Sequence, residues 1–233
     1  MKAILFLMII LILGINSTAA AEERISTISV SGEGVVEVAP DRATISVGVV
    51  TRDKNAAKVQ GDNARIASEI IKSVAALGID KKNIRTGNYS FHQYYRQENN
   101  KRVADGYEAN NTVTIIVDDL NLVGKVIDTS LAHGANNIDS LQFGIKNKGN
   151  LQNEAIRLAV RDARAKAEVV AAEFGKTIIG VKNVSVNYGT ISAPRANKMF
   201  MAAAEMDMAV ETPIESGTLS CSASVNVEFE MSR

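Results

Sequence analysis

Four of the chain's seven methionines fall within ten positions, at Met199, Met201, Met206 and Met208 of "NKMFMAAAEMDMAV". Thioethers offer three kinds of chemistry. They are soft ligands for Cu(I), they oxidise reversibly to sulfoxides, and they supply flexible apolar surface that adapts to a partner. The two Met-x-Met pairs would suit a copper site, yet three alanines separate them and no His or Cys lies beside them. The segment also carries Phe200 among good helix formers, and exposed Met, Phe and Ala on a soluble protein are ordinarily covered. The preferred expectation is therefore that Met199, Phe200, Met201, Met206 and Met208 make subunit contacts. Cu(I) ligation by the four methionines and sacrificial oxidation are the alternatives.

Other chemistry-bearing residues are sparse. In "YSFHQYY" Tyr89, Phe91, Gln93 and Tyr95 alternate with His92 and Tyr94. Aromatics beside the polar loop at 97–105 could stack on a sugar or a peptide, making Tyr89, His92, Tyr94 and Tyr95 candidate ligand residues, in competition with a role as core and cross-strand pairs. His92 and His133 have no carboxylate at ligand spacing. Asp105, Glu108, Asp118 and Asp119 read as turn and cap residues. Gly32-Glu33-Gly34 lacks the third glycine of a phosphate loop and continues as a strand, so a glycine-rich bulge is expected. Nucleophile elbows, P-loops, H-E-x-x-H helices and paired cysteines are absent from the sequence. This assigns no catalytic residue and no cofactor.

The ends and composition place the chain. Residues 1–21 begin with Lys2, run apolar from Ala3 to Leu13 and end in Ala19-Ala20-Ala21, the pattern of a cleavable secretory signal peptide. No cysteine stands at the cleavage site to carry a lipid. Removing these residues takes away Lys2 and no acid, so the balanced chain becomes −1, with nothing that steers it toward nucleic acid or anionic lipid. The rest, 22–233, is long enough to bury a sizeable core. The strands alternate around cores and lack the continuous outward apolar band of a transmembrane barrel. Cys221, the only cysteine, alternates with core-type residues in "LSCSASVNVEF" and is expected to be an inert buried thiol.

Hydrophobic periodicity supplies the scaffold. "ISVSGEGVVEV" and "RATISVGVV" alternate as half-buried strands, and Pro40-Asp41 between them predicts a hairpin. Asp53 then caps a helix with the stripe Ile66, Ile70, Val74 and Leu77, ended by Gly78. Strands follow at "NIRTGNYSFHQYYR" and "GYEANNTVTIIVDD". A short helix with Leu120, Val123, Ile127 and Leu131 inward closes at Gly134. The strand "NNIDSLQFGIKN" leads to a helix from Leu151 to Phe174, capped by Asn150 and stopped at Gly175, and two strands complete the chain on either side of the methionine loop at 190–213. This loop is far longer than a hairpin needs. Strand, helix, strand, loop, strand thus occurs twice, suggesting units at about 28–118 and 136–231 linked by a helix at 119–134. The fold class is α+β, with antiparallel sheets packed by helices. Ala155, Ala159, Ala163, Ala167 and Ala171 repeat every four residues beside Ile156, Val160, Val170 and Phe174, a stripe that permits close backbone approach to a sheet or a neighbour.

With these pieces in order, the chain resembles the SIMPL-domain family of bacterial envelope proteins, once a domain of unknown function. The resemblance rests on "VSGEGVVEVAPDRATISVGV", "YEANNTVTIIVDDL", "HGANNIDSLQFGI", "EAIRLAVRDARAKAEVVAAEFG" and "TPIESGTLSCSASVNVEFEM". It implies an α+β fold, a periplasmic or outer-membrane-associated location, homo-oligomers and a link to oxidative or envelope stress. It carries no catalytic residue. The resulting expectation is a non-enzymatic, homo-oligomeric envelope protein whose partner is itself, with peripheral attachment to outer membrane or cell wall. A periplasmic binding module for a glycan or peptide is the alternative from a different class, and a Cu(I)-binding Met-rich protein is another.

Overall fold

The structure, a computed structural model, describes residues 26–192 and 212–233. The expected signal peptide and the methionines at 199–208 lie outside the described residues. In chain order the elements are β1 (Thr27–Val38), β2 (Arg42–Asp53), α1 (Ala56–Ala76), β3 (Ile84–Glu98), β4 (Lys101–Val117), α2 (Val123–Ala132), β5 (Asn137–Gly144), α3 (Lys148–Glu173), β6 (Ile178–Ser192) and β7 (Leu219–Met231). The strands form two antiparallel sheets, β3-β4-β2-β5 and β1-β7-β6, so the class is α+β. Among the described residues no helix is long and apolar enough to cross a membrane.

Each sheet is covered on one face. On the first, α1 and α2 bury Ala43, Ile45, Val47, Val113, Ile115 and Val117 under Ile70, Val74, Val123 and Val126. Ile66 and Leu77 pack at the margin of this core, whereas Leu131, expected inward, is 44% exposed, and the helix turns Val123, Val126, Ile127 and Ser130 inward instead. On the second sheet, the alternating face of β7 meets α3, and Leu219, Cys221, Ala223, Val225, Val227 and Phe229 are all buried.

β1 and β2 do not form the expected hairpin. β1 pairs with β7 without a break from Thr27↔Glu230 to Val38↔Leu219, while β2 lies between β4 and β5 in the other sheet. The turn at Pro40-Asp41 is a crossover between sheets, held to the end of β5 by Asp41 N–H donating to Gly144 O (3.1 Å) and by its carboxylate accepting from Lys146 N (2.7 Å). The sheets also cut across the two sequence units. The hairpin β3-β4 has β2 beside β4, and the hairpin-like pair β6-β7 has β1 beside β7. Strand β5, which precedes α3 as β2 precedes α1, instead occupies the free edge of β2.

The bulge expected at Gly32-Glu33-Gly34 is a regular stretch of β1. These glycines admit α3. A Cβ on Gly32 would stand 2.1 Å from Ala159 O, and one on Gly34 would stand 2.1 Å from Ala155 O. The alanine stripe from Ala155 to Ala171 is fully buried, so it serves contact with the chain's own sheet. Relative to their sequence signals α1 begins two residues later and α3 three residues earlier. Asn55, not Asp53, caps α1 by accepting from Lys58 N (3.2 Å), and Asp53 accepts from Asn55 N (2.9 Å) one step upstream. Asn147 caps α3 by accepting from Asn150 N (3.2 Å). Asp or Asn two or three residues apart offer equivalent caps, and the packing of the helix selects between them.

Candidate functional site

Two surfaces combine uncovered side chains with definite geometry. The first is the β3-β4 hairpin. Its strands run past Asp53, the last residue of β2 to pair, and meet at a tight turn with Asn99 (φ 49°) and Asn100 (φ 61°). Asparagine tolerates this left-handed conformation, which a two-residue hairpin turn requires at both centres. The polar segment expected to be a loop at 97–105 is thus mostly paired strand.

Strand alternation divides the candidate ligand residues between the two faces of this hairpin. Tyr89 and Tyr95 share the helix side with Phe91, which stacks on Tyr107 at a centroid distance of 5.7 Å and an interplanar angle of 11°. Tyr95 donates its hydroxyl to Gln93 Oε1 (2.7 Å), and the Arg102 guanidinium lies 4.7 Å over its ring. His92 and Tyr94 come together on the other face. There His92 Nε2 lies 3.6 Å from Glu108 Oε1, Arg52 Nε donates to Glu108 Oε2 (2.5 Å), and Arg52 covers the Tyr94 ring at 4.3 Å. The bond to Glu108 pushes the Arg52 pKa above its ordinary value. Glu108 is largely buried, so removing Arg52 would leave a poorly solvated carboxylate without its main partner.

Arg52 escaped sequence reasoning, and Glu108, expected as a turn or cap residue, lies within the paired strand β4. They meet because Arg52 pairs with Glu108 across β2-β4 and Glu108 with His92 across β4-β3, a register that single-strand alternation does not encode. What this row can do is hold a polar ligand flat against a sheet face: a fixed cation, a carboxylate, an imidazole and an aromatic ring stand side by side. Among the described residues no group of three or more His, Cys, Asp or Glu side chains is arranged to hold a metal ion.

The second surface lies between α3 and β6. Val181, Val184, Val186 and Tyr188 of β6 pair with Phe229, Val227, Val225 and Ala223, and therefore point to the side that carries α3. The helix, drawn in over β1 by Gly32 and Gly34, leaves them uncovered: Val184 is 49% and Tyr188 67% exposed. A groove results, with Val160 and Arg164 of α3 on one wall, Val181 and Val184 on the other, and Val227 and Phe229 between them. β6 is also an edge strand of its sheet, and the chain leaves it at Ser192 toward the methionine segment. That segment returns at Thr212, whose N–H (3.4 Å) and hydroxyl (2.7 Å) both donate to the Asp128 carboxylate of α2, and Ile214 packs into the first core. The loop joining two strands of the second sheet is thereby fastened to the first.

Comparison with known proteins gives one family and several relatives. Residues 28–229 match the SIMPL family, described as "Protein of unknown function (DUF541)". The chain is 30% identical over 212 residues to the 26 kDa periplasmic immunogenic protein of Brucella melitensis, covering 88% of this chain and 84% of that protein. It is 27% identical over 206 residues to the uncharacterized protein YggE of Edwardsiella ictaluri, covering 87% of this chain and 86% of that protein. With YggE of Escherichia coli (strain K12) it shares 27% identity over 225 residues, 94% of this chain and 90% of that protein.

Proposed function

Because this chain belongs to the SIMPL family, whose function is not established, we propose that it is a non-enzymatic, homo-oligomeric protein of the bacterial cell envelope. Residues 190–213, with Met199, Phe200, Met201, Met206 and Met208, make the subunit contacts. The observation that carries this reading is the uncovered apolar surface of the second sheet: Val181, Val184, Val186 and Tyr188 on one strand, with Phe174, 72% exposed, at the end of α3. Contiguous apolar surface of this kind on a soluble protein marks an interaction site. Periplasmic location is supported by the signal-peptide pattern at 1–21 and by the Brucella relative, which is named as a periplasmic protein. The link to oxidative or envelope stress is supported by four oxidisable methionines at 199–208 of the sequence. Light scattering on the purified mature protein at micromolar concentration tests the assembly. A particle several times the chain mass that collapses on deletion of residues 192–211 is expected, and a monomer, or an assembly indifferent to the deletion, refutes the reading.

A second reading, a periplasmic binding module for a glycan or peptide, has its own observation in the row of Arg52, Glu108, His92 and Tyr94. The hairpin also shows Tyr89 and Tyr95 on its opposite face. The chain has no tryptophan, and four of its five tyrosines lie on this hairpin with Tyr188 on β6, so tyrosine fluorescence compared between the parent and Tyr94→Ala reports on the row. Quenching by cell-wall fragments, abolished by Tyr94→Ala, would support it, and an unchanged spectrum would remove its basis.

A further inference from the structure

A cleft of about 410 Å³ runs between α1 and β3 on the helix side of the first sheet. It exists because the sheet is wider than its cover. α1 seats Ala67, Ile70 and Val74 in the core over β2 and β4. β3 lies outboard of β4, and its Thr86 and Tyr89, which pair with Val113 and Asn111 and so share their face, remain exposed. The flank of α1 along the cleft carries Ala64, Ala67, Ser68, Ile71 and Ala75, mostly too small to bridge the gap.

The lining is not merely apolar. Lys72 of α1 and Lys81, in the turn before β3, both border the cleft. Neither forms an ion pair with a described residue, because the acids nearest to them in sequence, Glu69 and Asp80, are held by Arg65 (3.1 Å) and Lys82 (2.8 Å). Ser68 and Thr86 add hydroxyls, and Asn111 of β4 lines the same space with its Oδ1 buried and without a hydrogen-bond partner among the described residues. Buried acceptors ordinarily have a partner, and the soft χ2 torsion of asparagine lets the amide turn to meet a ligand's hydroxyl or N–H. Two unpaired cations, neutral hydrogen-bonding groups and an aliphatic wall, in a cleft of the size usual for small-molecule sites, fit a ligand that is anionic at one end and hydroxylated elsewhere. We propose that this cleft binds an acidic sugar. Its carboxylate lies between Lys72 and Lys81, its hydroxyl or acylamino groups meet Ser68, Thr86 and Asn111, and the C–H face of its ring rests on Ala64 and Ala67 with Tyr89 at the open end. The site is on the opposite face of the sheet from the Arg52 row, and it takes only Tyr89 from the hairpin residues considered above.

Saturation-transfer NMR on the mature full chain tests the site, since it reads the ligand's signals whatever the size of the particle. The probes are N-acetylmuramic acid and D-glucuronate, each beside its uncharged counterpart, N-acetylglucosamine and glucose. Saturable transfer to the acids and little to the neutral sugars is expected. Lys72→Met combined with Lys81→Met, both at exposed positions, should weaken binding of the acids by about tenfold or more, the scale of a lost charge-assisted contact. Ser68→Phe, which fills the cleft from an exposed helix position, should abolish it, with circular dichroism unchanged in both variants. No saturable transfer to either acid, or binding that survives both variants, overturns the proposal. Equal binding of the neutral sugars, of acetate or of an N-acetylated acidic dipeptide overturns it too, because the site would then not select an acidic sugar. Tyr94→Ala should leave the affinity unchanged. If it abolishes binding instead, the sugar sits on the Arg52 row, and the binding-module reading stands while this cleft is wrong.

Discussion

Gly32 and Ala159 share one site. The α-carbon of the strand glycine faces the backbone of the helix so closely that a Cβ would lie 2.1 Å from Ala159 O and 2.5 Å from Ala163 N. Gly34 stands in the same relation to Ala155 and Ala159 one turn earlier. A side chain at either position must move the helix, since its obstacles are backbone atoms. Overpacking of this kind costs about 1–3 kcal/mol, and more where backbone cannot yield. Gly32→Ala and Gly34→Ala should each lower stability by about 3 kcal/mol in urea titrations. Gly61→Ala is the control: it lies in the interior of α1 with nothing near a new Cβ, and should raise stability by about 0.5–1 kcal/mol.

Asn136 extends the first sheet where β5 has not yet begun. Its side-chain amide accepts from Val50 N (2.9 Å) and donates to Val50 O (2.7 Å), imitating a strand partner for the edge of β2. Asn136→Ala should cost about 1–2 kcal/mol, two hydrogen bonds at their usual net worth. Asn136→Asp retains the acceptor but loses the donor, so its stability should fall between the two. Equal loss for both variants would show that the bond accepted from Val50 N contributes nothing and that the bond donated to Val50 O carries the whole effect.

Asp162 fastens α3 to the margin of β1. Its Oδ2 accepts from Glu33 N (2.8 Å) and from Lys166 Nζ (2.7 Å), and the Lys166 bond first, then the Glu33 amide, holds its pKa below the ordinary aspartate value. A carboxyl depressed in the folded state stabilises above its unfolded pKa of about 3.9 and loses that contribution as pH falls through the lower folded value. Asp162→Ala should therefore lower the urea midpoint at pH 7, and the gap from the parent should close progressively below about pH 4. A gap that persists undiminished in acid would assign the loss to packing.

Oxidation of the methionines provides a test of the assembly rather than of the fold. If Met199, Met201, Met206 and Met208 lie in subunit contacts, sulfoxide formation makes them polar and weakens the contact. Mild peroxide should lower the particle mass while circular dichroism stays unchanged, and replacing the four by leucine should abolish the effect. Unchanged mass after complete oxidation of the four would sink the contact reading. Stoichiometric Cu(I) uptake that the leucine variant lacks would put metal binding in its place.

The α+β class, the helical stripes at Ile70 and Val74 and the alternating core face of β7 were legible in the sequence. Each is written within a dozen residues, because helix and strand place side chains at fixed local periods. The left-handed stops at Gly78, Gly134 and Gly175 were legible for the same reason, and all three adopt positive φ. Cap positions slipped by two or three residues because Asp53, Asn55, Asn147 and Asn150 are chemically equivalent until a helix is packed. Arg52, Glu108, His92 and Tyr94 form a row only across three strands, and no single strand announces its neighbours.

Which strand lies beside which was decided by tertiary structure. Alternation states which face of β1 is buried, and Pro40-Asp41 is as compatible with a crossover as with a hairpin. The choice comes from α3, whose alanine stripe fits down onto Gly32 and Gly34, so β1 is held in the helix-covered sheet with β7 and β2 is left to pair with β4 and β5. That same fit displaces α3 away from β6 and leaves the groove open. Close approach of two backbones far apart in the chain is a property of surfaces in contact, and it acquires meaning only once both surfaces exist.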